Sequence, residues 1–439
     1  MNAHCDIAII GGGPVGAALA LALRGSKLNV CVLEARPANS TSNDARALAL
    51  SYGSRLLLAR LGVWGALHDV SAIRTIHISQ QQSFGRAVLR AAEMKVPELG
   101  YVLPYPALQD ALTNALQISD VASIYGASVT QLSSHQVSAD IPSAGGKTAQ
   151  LLPQSAGSAI TSDLASVVGS PSRMASSSIS NVSQLHGSAD CATIGYQQNG
   201  AEHTLHARLA VVADGGKLLA QKYPPEIRDY GQSALITHIT CAAPQVNTAF
   251  ERFTPQGPLA LLPFQNGYEL VWTAPHQLAQ EMLAWDDAHF LRELHHHFGD
   301  RIGEFLTVGK RTCFPLGLRR APQQTPMPHT VLLGNAAQTL HPVAGQGFNM
   351  GLRDAWELAQ EILDTAPALL GTEAMLAAYR AHRRTDREAG IRFTDGLVRL
   401  FSNDLPLVSA GRAAALTALD CLPLAKRFVA KRMMFGANG

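Results

Sequence analysis

The 439-residue sequence predicts an α/β fold: a Rossmann-like parallel-stranded domain, an antiparallel sheet inserted into it, and a helical C-terminal region. Three observations predict it. A short β-branched run, Asp6 to Ile10, passes directly into Gly11-Gly12-Gly13-Pro14-Val15-Gly16 and then into a helical stretch from Ala17 to Arg24, the strand–turn–helix order of a doubly wound domain. A second strand-to-helix turn comes late, where Val331–Leu333 runs into Gly334 and a helix reaches about Leu363. Between them, from about Ile236 to Trp272, the apolar runs are short and turn-bounded (Ala234–Cys241, Leu259–Pro263, Leu270–Thr273), as in an antiparallel sheet.

The first turn fits G-x-G-x-x-G at Gly11, Gly13 and Gly16. One glycine makes the tight turn, one lets the backbone approach a pyrophosphate, and one packs helix on strand, with free N–H groups at the helix start. A second strand, Leu28–Leu33, ends in Glu34, 23 residues after Gly11, where an acid can accept hydrogen bonds from ribose hydroxyls. With all parts in register, the chain is read as binding a dinucleotide. Asp44-Ala45-Arg46 then precedes a helical stretch from Ser51 to about Leu67, and Arg46 is a candidate partner for phosphate or carboxylate, or an ordinary surface arginine.

Residues 133–189 hold sixteen serines, four charged residues and no aromatic side chain, too little apolar surface to offset chain ordering, so they read as a disordered insertion in a surface loop. Order is expected to resume at His206, with a buried strand delivering Asp214-Gly215. His295, His296 and His297 are consecutive; on a helix they point about 100° apart and read as solvated surface rather than a metal site. In the late turn, Gly345 and Gly347 permit backbone dihedrals that aim amides at an anionic ligand edge.

Composition narrows the function. Thirty-five basic against 33 acidic residues give a net charge of +2, which offers no field for nucleic acid. The six cysteines are scattered, with no Cys-x-x-Cys pair, so neither a disulfide framework nor a metal site is expected. The apolar run Ile7–Leu23 carries four glycines and a proline without a basic lead, and reads as the core of a cytoplasmic protein rather than a span or signal. The last sixty residues hold eleven Lys and Arg against five acids. The stretch from Leu405 to Phe435 is therefore either an interfacial helix facing an anionic inner membrane or one that packs on the protein itself.

Taken together, GGGPVG with Glu34, VVADG (Val211–Gly215) and GNAAQTLHPVAGQGFN (Gly334–Asn349) resemble the three fingerprints of FAD-dependent aromatic hydroxylases of the p-hydroxybenzoate hydroxylase fold, over most of the chain outside 133–189. The segment AFERFTPQGPLALLP (Ala249–Pro263), together with Asn335 and Gln338 where most relatives carry Asp and His, is similar to the ubiquinone-biosynthesis branch, and within it to the 2-octaprenyl-6-methoxyphenol hydroxylases. The resemblance implies a GR2-type FAD-binding domain formed by 1–75, 106–215 and 326–366, a substrate domain formed by 76–105 and 216–325, and a helical, basic region over 367–439.

It further implies roles. Gly11, Gly13, Gly16 and Glu34 would hold the ADP half of FAD, Arg46 the pyrophosphate, and Asp214 with Gly215 would brace the cofactor and the nicotinamide route. Gly334 and Asn335 would meet the ribityl and pyrophosphate end, and Pro342, Gly345, Gln346, Gly347, Phe348 and Asn349 the isoalloxazine ring. Gly257, Pro258, Leu259, Leu261 and Pro263 would form a wall of the substrate pocket. Pro104-Tyr105-Pro106 departs from the pattern, standing where relatives often place a polar flavin contact. His341 is the candidate base in the flavin loop, although a histidine beside a proline also serves structure.

The chemistry implied is NAD(P)H reduction of the flavin, O₂ capture as a C4a-hydroperoxide and attack by an electron-rich phenol carbon, with the protein supplying position and dryness. With a single G-x-G-x-x-G, NAD(P)H is expected to bind transiently. The substrate would be a prenylated phenol, and other ubiquinone-biosynthesis proteins are candidate partners; oligomeric state is not defined by the sequence. Hydroxylation of another quinone-ring carbon or a soluble phenol, or a non-catalytic flavoprotein scaffold, are the competing readings.

Overall fold

The computed structural model describes residues 3–38, 40, 44, 46–81, 83–135, 190–401 and 406–437. The chain opens with β1 (Ala3–Ile10), α1 (Pro14–Ala22) and β2 (Val30–Glu34). The last four residues of β1 and all of β2 are buried, as strands covered on both faces require. Next come β3 (Ala47–Ser51) and α2 (Tyr52–Arg60). Ser51 caps α2 by accepting from the Ser54 amide at 3.2 Å. The helix expected to reach Leu67 stops at Arg60, because Gly62 turns the chain at φ +75° into a single 3₁₀ turn at Trp64–Ala66.

The walk continues through β4 (Ser71–Ile73), β5 (Thr75–Gln80), β6 (Arg86–Arg90), α3 (Ala91–Met94), β7 (Gly100–Pro104), α4 (Tyr105–Gln117), β8 (Ala122–Tyr125) and β9 (Ser128–His135). The serine-rich insertion begins later than expected: Ser133 and Ser134 are strand residues paired with the next strand, β10 (Cys191–Gln198). The insertion expected over 133–189 otherwise lies outside the described residues. Regular structure returns with β10, ahead of His206.

There follow β11 (Ala201–Val212), β12 (Glu226–Cys241), β13 (Thr248–Thr254), β14 (Gly257–Phe264), β15 (Gly267–Pro275), α5 (His276–Ala284), α6 (Asp287–Phe298), β16 (Phe305–Val308), β17 (Thr312–Arg320), β18 (Thr330–Leu332), β19 (Gln338–Thr339) and α7 (Gln346–Asp364). The chain ends in α8 (Glu373–Phe401), α9 (Pro406–Cys421) and α10 (Pro423–Phe435).

Three sheets organise the described residues. One of seven strands runs β8-β2-β1-β11-β10-β9 with β18 beside β11, one of nine runs β19-β17-β12-β15-β14-β13-β5-β6 with β16 beside β12, and one of three runs β3-β7-β4. β1, β2, β8, β11 and β18 are mutually parallel, the Rossmann-like part. The nine-stranded sheet is antiparallel apart from β5 against β13. Leu19, Leu112 and Leu358, from α1, α4 and α7, bury together against one side of the parallel sheet. Leu235, Leu259, Leu261, Leu270 and Trp272 on the second sheet bury against Phe290 and Leu294 of α6.

The histidine run is not uniformly solvated. His297 is half-buried, its ring 5.3 Å from that of Trp272. The basic C-terminal segment likewise divides. Arg412 is buried and donates to the Leu400 carbonyl at 2.7 Å, and Lys426 is buried against Asp420 at 2.8 Å. Arg427, Lys431 and Arg432 are exposed.

Candidate active site

One continuous cavity of about 1310 Å³ runs between the two large sheets, from the glycine turn after β1 to the C-terminal helices. At one end, Gly11 sits at φ +107°, and a Cβ there would lie 2.6 Å from the Ala213 carbonyl. A Cβ on Gly16 would collide with the Gly11 carbonyl. These two glycines are demanded by packing. At Gly13 no atom lies within 4 Å of where a Cβ would be, and the same holds at Gly347; both line the cavity and leave room for a ligand backbone contact.

Glu34 lies beside this turn, its Oε2 accepting from the Gly12 amide at 2.7 Å and its Oε1 from Arg36 Nε at 2.9 Å. Burial works to raise its pKa, but the bonds to Arg36 and Gly12 win and hold it below the usual value. The carboxylate is thus kept charged, and it lines the cavity. Arg46 also lines it, held by Asp44 with Nε–Oδ1 at 2.8 Å and stacked 5.2 Å over the Phe314 ring. It is an exposed side chain held in place at the rim of the cavity. Asp214 caps its turn, accepting from the amides of Gly216 at 2.7 Å and Lys217 at 3.0 Å, while Gly215 adopts φ +79°.

The late turn completes the far wall. Gly334 at φ +57° packs on Val15, and Asn335 and Pro342 line the cavity. Gly345 at φ +61° starts α7, followed by Gln346, Gly347 and Phe348, all cavity-lining. Asn349 also lines the cavity, yet all its hydrogen-bonding capacity is spent on protein. Its Oδ1 accepts from Ser51 N at 2.8 Å and Ser54 Oγ at 2.7 Å, and its Nδ2 donates to Ala49 O at 3.0 Å and Gly345 O at 2.6 Å. It clamps the loop to β3 and α2 rather than presenting a bond to a ring. Gln346 Nε2 donates to Met433 O at 3.3 Å, tying the loop to α10.

His341 is not among the cavity-lining residues. It is 1% exposed, its Nδ1 accepts from the Val343 amide at 3.1 Å, and burial pushes its pKa down to about 4. The ring meets Tyr230 edge-on at 5.5 Å and its Nε2 is buried with no hydrogen-bond partner among the described residues, so the candidate base stands behind the cavity wall rather than on it. The pocket wall is corrected by strand alternation. On β14 the lining residues are Pro258, Ala260 and Leu262, whereas Leu259 and Leu261 point to the opposite face, into the core with α5 and α6. Gly257 and Pro263 do not line the cavity either; at Gly257, Thr273 occupies the place of a Cβ.

Sequence reading missed several contributors. Gln109 of α4 donates to Gly12 O at 3.1 Å. Arg319 of β17 donates to Gly215 O at 3.2 Å and Asn335 O at 3.3 Å, bracing both later turns. Tyr105, in the departing Pro-Tyr-Pro segment, lines the cavity and begins α4. None of these carries a local motif. The apolar half is walled by Ile76, Ile78, Leu89, Phe253, Val271 and Leu397, with Val429 and Met433 from α10.

A glycine cradle open at Gly13 and Gly347, an ionised Glu34 and the amide end of α1 fit a dinucleotide cofactor with a flat ring directed toward an apolar chamber, which defines a flavoprotein oxidoreductase. The chain matches the FAD binding domain family over residues 4–394 and belongs to it; it is an FAD-dependent aromatic-ring monooxygenase. It is 30% identical to ubiquinone hydroxylase UbiL of Rhodospirillum rubrum, over 98% of this chain and 89% of that one. It is likewise 30% identical to 3-demethoxyubiquinol 3-hydroxylase of Escherichia coli, over 97% of both. The crystal structure of p-nitrophenol 4-monooxygenase from Pseudomonas putida superposes with a TM-score of 0.67 over 100% of both chains at 14% identity, which establishes the shared fold.

Proposed function

We propose that the chain hydroxylates the ring of a prenylated phenol in ubiquinone biosynthesis, 2-octaprenyl-6-methoxyphenol to the benzoquinol, with NAD(P)H and O₂ as co-substrates. The observation that carries this is the continuous cavity: a polar, glycine-lined half fitting FAD opens directly into an aliphatic half suited to a ring with an apolar tail. The relatives whose names specify ubiquinone chemistry support it.

FAD would be held by Gly11, Gly13, Glu34, Arg46, Asp214 and Gly215, with Asn335 and the 342–348 loop along its ring end. Bound there, it would supply the electron transfer and oxygen activation. The chain's own part is placement and dryness. Asn349 and Gln346 hold the ring-side loop, and Ile76, Ile78, Leu89 and Val271 exclude water from the reacting carbon. The division into an FAD-binding part (1–75, 106–215, 326–366), a substrate part (76–105, 216–325) and a C-terminal part (367–439) belongs to the same proposal, supported by the grouping of β5, β6 and β12–β17 in one sheet.

We also propose a peripheral contact with an anionic membrane. No helix among the described residues is long and apolar enough to cross a membrane. The outer side of α10 and its lead-in, however, expose Leu424 at 80% and Phe428 at 60% beside Arg427, Lys431 and Arg432, and the inner side of α10 lines the cavity. A prenylated substrate dissolved in the bilayer would meet that helix first.

The test is NAD(P)H oxidation by the purified, FAD-loaded protein with and without a short-chain 2-prenyl-6-methoxyphenol, followed by mass analysis. A phenol-stimulated rate with a singly oxygenated product is expected, and the product's substitution pattern gives the ring carbon. Bound flavin whose oxidation by O₂ is indifferent to the phenol would overturn the substrate assignment.

A further inference from the structure

β13 carries one residue that packing does not explain. Ala249, Glu251 and Phe253 line the cavity at alternate positions of β13; Phe250 between them also reaches the lining while its ring packs into the core with Phe298 of α6. Glu251 stands opposite Ile78 on β5 and Ala260 on β14; beyond them lie Ala87 on β6 and Val271 on β15. The row across five strands is therefore aliphatic except at its centre. Valine or leucine would serve a core there.

Glu251 Oε1 is buried with no hydrogen-bond partner among the described residues. A buried carboxylate oxygen left unpaired costs on the order of 1–3 kcal/mol or more, and such groups are rare without a reason. The other titratable residues lining the cavity are Glu34, Arg36, Arg46, Tyr105, Asp214 and Lys217. They gather around the glycine turns at the dinucleotide end, and Glu34, Arg46 and Asp214 are already engaged. No neighbouring charge acts on Glu251; burial alone pushes its pKa up to about 7.

We propose that Glu251 is the catalytic residue that receives the phenol, its carboxylate accepting the hydrogen bond of the substrate hydroxyl and then its proton. This rests on the ring-hydroxylase reading given above. The substrate O–H bond breaks and an O–H bond forms on Glu251, while the electron pair stays on the phenolic oxygen and enriches the ring that is to be oxygenated. The proton returns to the phenolic oxygen of the product, so Glu251 is regenerated and no net proton is consumed by it. An acid with a pKa near neutrality is matched to this exchange. The aliphatic neighbours matter too, because water at Glu251 would satisfy the carboxylate in place of the substrate.

The test uses FAD-loaded full-length protein, wild type and Glu251→Gln, with a short-chain 2-prenyl-6-methoxyphenol. Bound phenol is read by ultraviolet difference absorption across pH, alongside flavin content and product formation. A phenol keeps its proton to about pH 10 and a neighbouring carboxylate does not lower that value, so the bound phenol is expected to rest neutral, and the expected wild-type signal is a hydroxylation rate that rises as Glu251 ionises near pH 7. Glu251→Gln is expected to keep its flavin, lose the rise in rate near pH 7, and hydroxylate about 100-fold or more slowly.

A Glu251→Gln variant that keeps the wild type's rise in rate near pH 7 and hydroxylates within about threefold of it overturns the proposal. If Glu251→Gln prevents folding, Glu251→Leu, which completes the aliphatic row, is read in the same assay with the same two outcomes. A wild type that neither binds nor responds to the phenol overturns the ring-hydroxylase reading itself, and this proposal with it.

Discussion

Gly13 and Gly16 belong to one turn and do different work. At Gly16 an added methyl would run into the Gly11 carbonyl, so Gly16→Ala has to move the backbone of the turn itself. At Gly13 the methyl meets nothing of the protein. It would stand where the cofactor's pyrophosphate has to approach the α1 amides. Gly16→Ala is expected to lower the thermal midpoint of the flavin-free protein. Gly13→Ala is expected to leave that midpoint within about 1 °C, a change well under 1 kcal/mol, and to weaken FAD binding at least tenfold by fluorescence titration. Equal effects of both variants on the flavin-free protein would mean that the open space at Gly13 is not a ligand site. The motif spelled both glycines alike; only the three-dimensional surroundings separate a packing glycine from a contact glycine.

Elements show why part of the site was legible and part was not. The strand–glycine–helix units at 6–24 and 331–363 could be read because a dinucleotide turn is local: its residues touch through neighbours in sequence, and Gly11, Glu34, Gly215 and Gly347 all line the cavity as read. The β14 wall was placed in the correct segment, with Pro258 on the cavity face and Leu259 and Leu261 on the other. Leu259 and Leu261 advertise burial, but burial exists on both sides of this sheet, against α6 on one and the cavity on the other. Hydrophobicity alone does not choose between them. Glu251 was passed over for the same reason, since its meaning comes from Ile78 and Ala260, which pair with it across strands that local sequence does not connect.

The tail was ambiguous because α10 has two unlike sides, with Lys426 and Met434 inward and Leu424 and Phe428 outward. Leu424→Glu with Phe428→Glu should therefore abolish flotation with phosphatidylglycerol vesicles while changing thermal stability by less than about 1 kcal/mol, as expected for exposed positions. Unchanged flotation would dismiss the membrane face.

At the scale of the whole molecule, the flavin loop and the C-terminal helices are joined by one buried charge network. Arg383 of α8 is fully buried, with Nη2 2.6 Å from Asp354 of α7 and 2.7 Å from Asp386 of α8. Asp386 also pairs with Arg353 at 2.9 Å and accepts from the Ala437 amide at 2.7 Å, drawing in the end of the described chain. On the other side, Gln338 donates to Asp354 at 2.7 Å and accepts from Arg387 at 2.8 Å. Gln338, noted from sequence for replacing a histidine common in relatives, is thus a structural link rather than a flavin contact. α7 begins at the ring-side loop and carries Asp354 within the same helix, so the network holds the loop's foundation against α8 and, through Gln346 and Met433, against α10. A buried pair of this kind adds little over an apolar substitute, but removing one partner strands the other's charge, at a cost of roughly 3–5 kcal/mol. Arg383→Met should lower the urea midpoint by an amount in that range and release FAD at denaturant concentrations where the wild type retains it. Arg383→Met combined with Asp354→Leu, which removes the fully buried carboxylate facing Arg383 and leaves Asp386 paired with Arg353, should recover part of the loss. Full flavin retention in the single variant would show that the cofactor half stands without its C-terminal brace.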